Sequence, residues 1–262
     1  MSTPTAAAPN ASTSVHLVRY SRLPYREAWA LQQRLVDDRI ADRIPDTLLL
    51  LEHDPVYTLG RRTAAEHLGQ GEAALRQDGS DVVAVERGGS ITYHGPGQLV
   101  GYPILKLNRY CPGPKRYMTL LEEVIIRTLA QWGLEGKRLE KLTGVWVSQT
   151  PPQKIAAMGV YLRRGVTMHG FALNVCNDLK PFTRIVPCGL EGGVTTSMTE
   201  ALGRSVSVED VGERLGHIFA TVFDVDVSPV QPWGPGLNVR DPGWPQNTQT
   251  LVHPGHDGGG SR

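Results

Sequence analysis

Apolar residues recur along the chain in two rhythms, and the change from one to the other marks out the elements. YREAWALQQRLVDDRIADR (25–43) sets Ala28, Leu31, Leu35 and Ile40 on one stripe, which predicts a helix ended by Pro45 and Asp46. RYMTLLEEVIIRTLAQWG (116–133) is the clearest helix, with Leu120, Leu121, Val124, Ile125 and Leu129 at helical spacing and Gly133 as its stop. A last helix, VEDVGERLGHIFATVF (208–223), has Ser207 as N-cap and Asp210 three residues on, an imperfect capping box. GEAALRQDG (71–79) suits two helical turns. Between these lie strand-like runs. SVHLVRYSRL (14–23) opens the set, and TLLLLEH (47–53) is apolar enough for a strand buried on both faces. A short strand in DPVYTLGRRT (54–63), then DVVAVE (81–86) and QLVGYPILKL (98–107), follow. LTGVWVS (142–148), KIAAMGVYLR (154–163) and VTMHGFALNV (166–175), separated by turn-forming QTPPQ and RRG, read as an antiparallel meander. The sum is an α/β (α+β) domain over 15–227, a mixed or antiparallel sheet flanked by helices. The head (1–14) and the Pro/Gly-rich tail (228–262) lack periodicity and are expected to be disordered.

Composition narrows the class. With 40% hydrophobic and 20% charged residues the chain is an ordinary globular protein, long enough for a sizeable core. A formal net charge of +1 argues against nucleic acid or an anionic membrane as general partner. MSTPTAAAPNASTS has neither the basic nor the apolar region of a secretory signal, and no apolar run approaches the ~18 residues of a membrane span. Three irregularly spaced cysteines make no disulfide framework, so a cytoplasmic location is expected. Cys111, in the loop NRYCPGPKR, reads as an unremarkable thiol, and Cys176, at the end of FALNVC, as a core residue.

The chemistry concentrates in Arg87–Pro103, RGGSITYHGPGQLVGYP, where Gly88, Gly89, Gly95 and Gly97 stand among Arg87, Tyr93 and His94. Glycine lets a backbone approach a ligand closely, so the stretch can offer bare amides beside polar side chains. A decorated tight hairpin between DVVAVE and QLVGYPILKL would explain the Gly-Pro-Gly, but not the Arg-Gly-Gly and Tyr-His as well. Cys188, in Val-Pro-Cys-Gly, is set for a nucleophile whose following amide could hold an oxyanion; a buried structural thiol is as common in that setting. Lys154 begins a strand, where lysines are usually solvated. Beside Cys188 it would favour the thiolate, lowering the thiol from its ordinary ~8.5 toward neutrality. His94 and His169 lack a metal-site spacing, so hydrogen bonding or packing suits them better, and no metal is expected. Arg61 and Arg62 suit a solvated loop. There is no phosphate loop and no dinucleotide fingerprint.

In this order, RGGSITYHGPGQLVGYP, LTGVWV, KIAAMGV, HGFALNV and IVPCG resemble the lipoyl(octanoyl) transferases, over about Val15 to Val225. The resemblance implies the catalytic fold shared with biotin– and lipoate–protein ligases. It also implies transfer of an octanoyl group from octanoyl-acyl carrier protein to a lysine ε-amine of lipoyl domains, in 2-oxoacid dehydrogenase E2 subunits and the glycine cleavage H protein. Carried over by position, the acyl-thioester cysteine is Cys188 and the lysine that tunes it is Lys154. The substrate contacts fall on Arg87, Gly88, Gly89, Ser90, Ile91, Thr92, Tyr93 and His94, on Ala157, Met158 and Gly159, and on Gly170, Phe171 and Ala172. Ser90 departs from the lysine or glutamine usual after Gly-Gly, and its shorter side chain could loosen a substrate contact. Small residues at 157, 159, 170 and 172 would shape the acyl channel, and Met158 and Phe171 its floor. A thioester donor is already activated, so neither ATP nor another cofactor is expected, and the enzyme is expected to be a monomer. The rivals are an ATP-dependent lipoate or biotin ligase and a non-catalytic binding module.

Overall fold

A computed structural model of the protein describes residues 14–77, 79–147, 151–186 and 194–227. β1 (Ser14–Arg19) leads through α1 (Tyr25–Ile40) to β2 (Asp46–Leu51) and β3 (Val56–Leu59). The short α2 (Glu72–Leu75) precedes β4 (Asp81–Ala84), β5 (Ile91–His94) and β6 (Gln98–Ile104). After α3 (Pro114–Ala130) come β7 (Gly136–Leu139), β8 (Leu142–Val147), β9 (Gln153–Arg163) and β10 (Val166–Asn174). β11 (Val194–Thr195), α4 (Met198–Leu202), α5 (Val208–Phe223) and β12 (Asp226–Val227) complete the described chain.

Among the described residues, nine strands form a mixed sheet in the order β12-β1-β2-β6-β10-β9-β8-β7, with β11 added beside β9. β1 runs parallel to β12 and β2, and every step from β2 to β7 is antiparallel. The layers follow from side-chain alternation. Leu48 and Leu50 of β2 join α3 and α5 in one core, whereas Leu49 and Leu51 join α1 in another. Every residue of β2 is buried, as the unbroken apolar run predicts. α5 begins as expected, with Ser207 Oγ accepting the amide of Asp210 at 3.3 Å.

β3, β4 and β5 make a separate sheet in the order β4-β3-β5. This overturns the hairpin alternative, because DVVA pairs in parallel with β3 while QLVGYPI sits at the middle of the large sheet. ITYH, inside the glycine-rich stretch, is itself a strand, antiparallel to β3. The meander β8-β9-β10 is as the pattern predicts. Cys176 is exposed rather than part of the core. The amides of Val175 and Cys176 both turn to Gly97 O, at 3.3 and 2.9 Å, which ends the strand alternation just before the thiol. Cys111 is buried in the α3–α5 core. The head, except Ser14, and the whole tail lie outside the described residues. Among the described residues, no helix is long and apolar enough to cross a membrane.

Candidate active site

Between the large sheet and the glycine-rich stretch lies a cavity of about 540 Å³. Arg87–Thr92, His94, Lys154, Ala157–Gly159 and Gly170–Ala172 all border it. Tyr93 does not. Strand alternation sends its ring to the other face of the small sheet, 5.2 Å from Tyr57 and 5.6 Å from Phe182 between centroids. Residues not expected at the site complete the wall, among them Tyr25 and His67, Arg62 from the loop read as solvated, and Gln98, Tyr102 and Asn174, which stand in the motifs without a role assigned to them. These six come from five different segments of the chain, and only the tertiary fold assembles them.

An irregularity in β9 aims Lys154. Val147 pairs with Gln153 and Trp146 with Lys154, but Val145 pairs with Ala156, so Ile155 is one residue too many. Such a bulge breaks alternation. Ile155 and Ala156 both sit in the α3–α5 core, and Lys154 thereby shares the cavity face with Ala157 and Gly159. Its ammonium lies 5.2 Å from the centre of the Trp146 ring, a cation–π contact. Gly144 lies beneath the lysine, and a Cβ at that position would meet Lys154 Cε at 2.7 Å.

The glycines of the roof and floor answer each other. Gly88 N donates to Val160 O at 3.0 Å, docking the loop on β9, and a Cβ on Gly159 would strike Gly88 O at 2.7 Å. Arg87 is buried and clamps the loop. It donates to Ser90 O (2.7 Å), Thr58 O (2.6 Å) and Thr58 Oγ1 (2.7 Å). Ser90 is buried as well, with Oγ 2.6 Å from His67 Nδ1. The short side chain thus holds the adjoining loop. Met158 and Phe171 face each other across β9 and β10 and pack into the α3–α5 core, with the Phe171 ring over Gly101.

Cys188 and Gly189 lie outside the described residues; the chain on either side of 187–193 is fixed at the cavity rim. On one side Val186 N donates to His67 O at 3.0 Å, and His67 borders the cavity. On the other, Thr195 pairs with Lys154, and Thr196 N donates to Lys154 O at 2.9 Å. A buried relay ties this second side to the roof. His94 Nδ1 meets Gln98 Oε1 (2.8 Å), Gln98 Nε2 donates to Asn174 Oδ1 (2.9 Å), and Asn174 Nδ2 donates to Thr196 O (3.0 Å). His94 is therefore a hydrogen-bonding residue. Among the described residues, no group of three His, Cys, Asp or Glu could hold a metal ion.

Behind the wall, His53 is fully buried, with Nδ1 2.7 Å from Leu23 O and Nε2 2.7 Å from Tyr102 Oη. Burial pushes its pKa down to about 4, against the pull of Leu23 O. Burial shifts His94 and His169 the same way. Because the unfolded chain takes up these protons near pH ~6.5 and the folded one refuses them, stability is complete above ~6.5 and falls as the pH drops toward 4. His53 alone accounts for roughly 2 kcal/mol between pH 7.5 and 5. Urea unfolding at the two pH values is expected to show at least this loss, and His53→Gln to reduce it.

The lipoyl protein ligase A/B catalytic domain family model matches residues 24–220. The octanoyltransferase of Thermobifida fusca (strain YX) is 45% identical over 238 residues, covering 88% of this chain and 93% of its own. That of Rubrobacter xylanophilus (strain DSM 9941) is 52% identical over 202 residues, covering 76% and 89%. Among solved structures, a bipartite lipoate protein ligase from Thermoplasma acidophilum superimposes with a TM-score of 0.63 at 17% identity, over 83% of this chain and 88% of that one. At that identity the likeness is one of fold.

Proposed function

We propose, for a chain that belongs to the lipoyl protein ligase A/B catalytic domain family and is an octanoyltransferase of protein lipoylation, that the octanoyl group passes through a thioester on Cys188 with Lys154 as proton partner. The observation that carries this reading is the pairing of Thr195 with Lys154 beside the bulge that turns the lysine into the cavity. Cys188 follows Val186 by two residues, a span of at most ~7 Å, and Val186 is tied to the cavity's rim. The described chain two residues before Cys188 thus stands at the mouth of the same cavity, which supports the reading.

The donor is octanoyl-acyl carrier protein. Cys188 thiolate attacks the thioester carbonyl, and the oxyanion is held by nearby amides, that of Gly189 first. The bond to pantetheine sulfur breaks, and the Lys154 ammonium gives that sulfur its proton. The acceptor's ε-amine then attacks the acyl-cysteine, neutral Lys154 takes the amine's proton, and Cys188 leaves as thiolate. Charge and protons return to their starting places, so neither ATP nor a metal is consumed. The acyl chain lies over Ala157, Gly159, Gly170 and Ala172, where burying about six methylenes contributes roughly 5 kcal/mol. Acceptors are lipoyl domains of 2-oxoacid dehydrogenase E2 subunits and the glycine cleavage H protein, met by a monomer in the cytoplasm.

An ATP-dependent ligase shares the fold, but the relatives at 43–52% identity are octanoyltransferases. The test is octanoylation of a lipoyl domain with octanoyl-carrier protein and no nucleotide. Full turnover is expected. Dependence on ATP and free octanoate would establish the ligase instead.

A further inference from the structure

One end of the cavity carries polar groups that a saturated acyl chain leaves unused. In the β9–β10 ladder, His169 pairs with Val160, one step past the Gly170–Gly159 pair and away from Lys154. Strand alternation would put its side chain with Phe171, on the α3–α5 side. Its φ of 59° turns it instead toward α1. There its ring meets Tyr102 at 6.4 Å and its amide donates to Gln32 Oε1 at 2.9 Å. A residue other than glycine in the left-handed region within a strand is held there against local preference, and such strain gathers at functional sites. The result here is an imidazole in the cavity wall.

His169 borders the cavity and Gln32 stands behind it, and His169 Nε2 and Gln32 Nε2 are both buried without a hydrogen-bond partner among the described residues. Both residues are nearly or wholly enclosed, at 1% and 0% exposure. Glu86 Oε1 lies 3.6 Å from His169 Nε2 and accepts from Trp29 Nε1 at 3.2 Å. Five ladder steps of β9, about 17 Å, separate Val160 from Lys154 once the extra residue of the bulge is discounted. An extended octanoyl chain reaches only about 9 Å, given C–C bonds of about 1.5 Å. A chain laid along β9 from beside Lys154 ends short of this corner at eight carbons and reaches it at about fourteen. A methyl terminus arriving there strands the buried polar atoms, which is unfavourable, whereas a hydroxyl can bond with them.

We infer that His169, held from behind by Gln32, forms a polar stop at the far end of the acyl channel. It refuses saturated chains long enough to reach it and accepts chains of that length that end in a hydrogen-bonding group. The inference rests on the octanoyltransferase reading and adds to it the residues that set chain length. The experiment compares kcat/KM of the full chain for carrier-bound acyl donors of eight to fourteen carbons, each with and without a terminal hydroxyl. Wild type is expected to transfer octanoyl well and to lose activity at some longer length, where the terminal hydroxyl restores about tenfold. Gln32→Leu and His169→Asn (asparagine tolerates the left-handed backbone) are expected to cut that preference several-fold, measured against each variant's own octanoyl rate. A hydroxyl preference near one at every length in wild type overturns the inference, as does one that both variants retain. Failure of wild type to transfer octanoyl at all would instead count against the transferase reading.

Discussion

Replacing Cys188 by serine is expected to lower octanoyl transfer by about three orders of magnitude or more, with the donor still bound. A serine hydroxyl beside a lysine is a far weaker nucleophile than a thiolate, and removal of a covalent nucleophile leaves only what binding and oxyanion stabilisation supply. Donor binding should change little, because the wall against the acyl chain is made by β9, β10 and the glycine loop. Single-turnover kinetics with octanoyl-carrier protein separates the two effects: an unchanged Kd with a collapsed rate is the expected pattern. Cys176 is exposed and Cys111 is buried in the α3–α5 core, so serine at either is expected to leave turnover near wild type.

Lys154→Met is expected to cost between ~10² and ~10⁴ in kcat/KM, the usual worth of a positioned acid–base group. Methionine stops one atom short of Nζ and keeps the apolar stem that packs over Gly144 and Trp146, so the loss reports the ammonium. A second readout separates charge from proton transfer. Without the ammonium the Cys188 thiol should return toward ~8.5, moving the midpoint of its alkylation profile upward. Lys154→Arg keeps a positive charge but cannot give up its proton at working pH. It should preserve alkylation at neutral pH while failing to restore turnover. Restored turnover with arginine would show that position 154 acts only through its field.

The parts of the fold legible in the sequence are those whose pattern is local. The double-sided run of β2, the stripe of α3 and the cap of α5 each carry their own signal. β7 (Gly136–Leu139) is a short polar edge strand with no alternation to detect, and β11 and β12 are too short to carry a pattern. The site divides in the same way. Arg87, Gly88, Gly89 and His94 stand out by composition, and Gly159 and Gly170 through the resemblance. Tyr93 looked equivalent to His94, but one step of strand alternation separates the cavity from the small sheet's other face. The bulge at Ile155 and the left-handed backbone of His169 are invisible to periodicity, because each is a single residue departing from an otherwise regular strand. Tyr25 and Gln32 of α1, His53 of the loop after β2 and Tyr102 of β6 come from three separate segments of the chain, so only the folded structure shows that they gather behind one end of the cavity.

The most direct test of the thioester route is to mix the protein with octanoyl-carrier protein in the absence of any acceptor, quench, and map the modified peptide by mass spectrometry. One octanoyl group on Cys188, discharged when a lipoyl domain is added and at a rate no slower than turnover, is the expected result. Octanoylation elsewhere in the chain, or turnover proceeding with no modified cysteine at any time, would contradict the account.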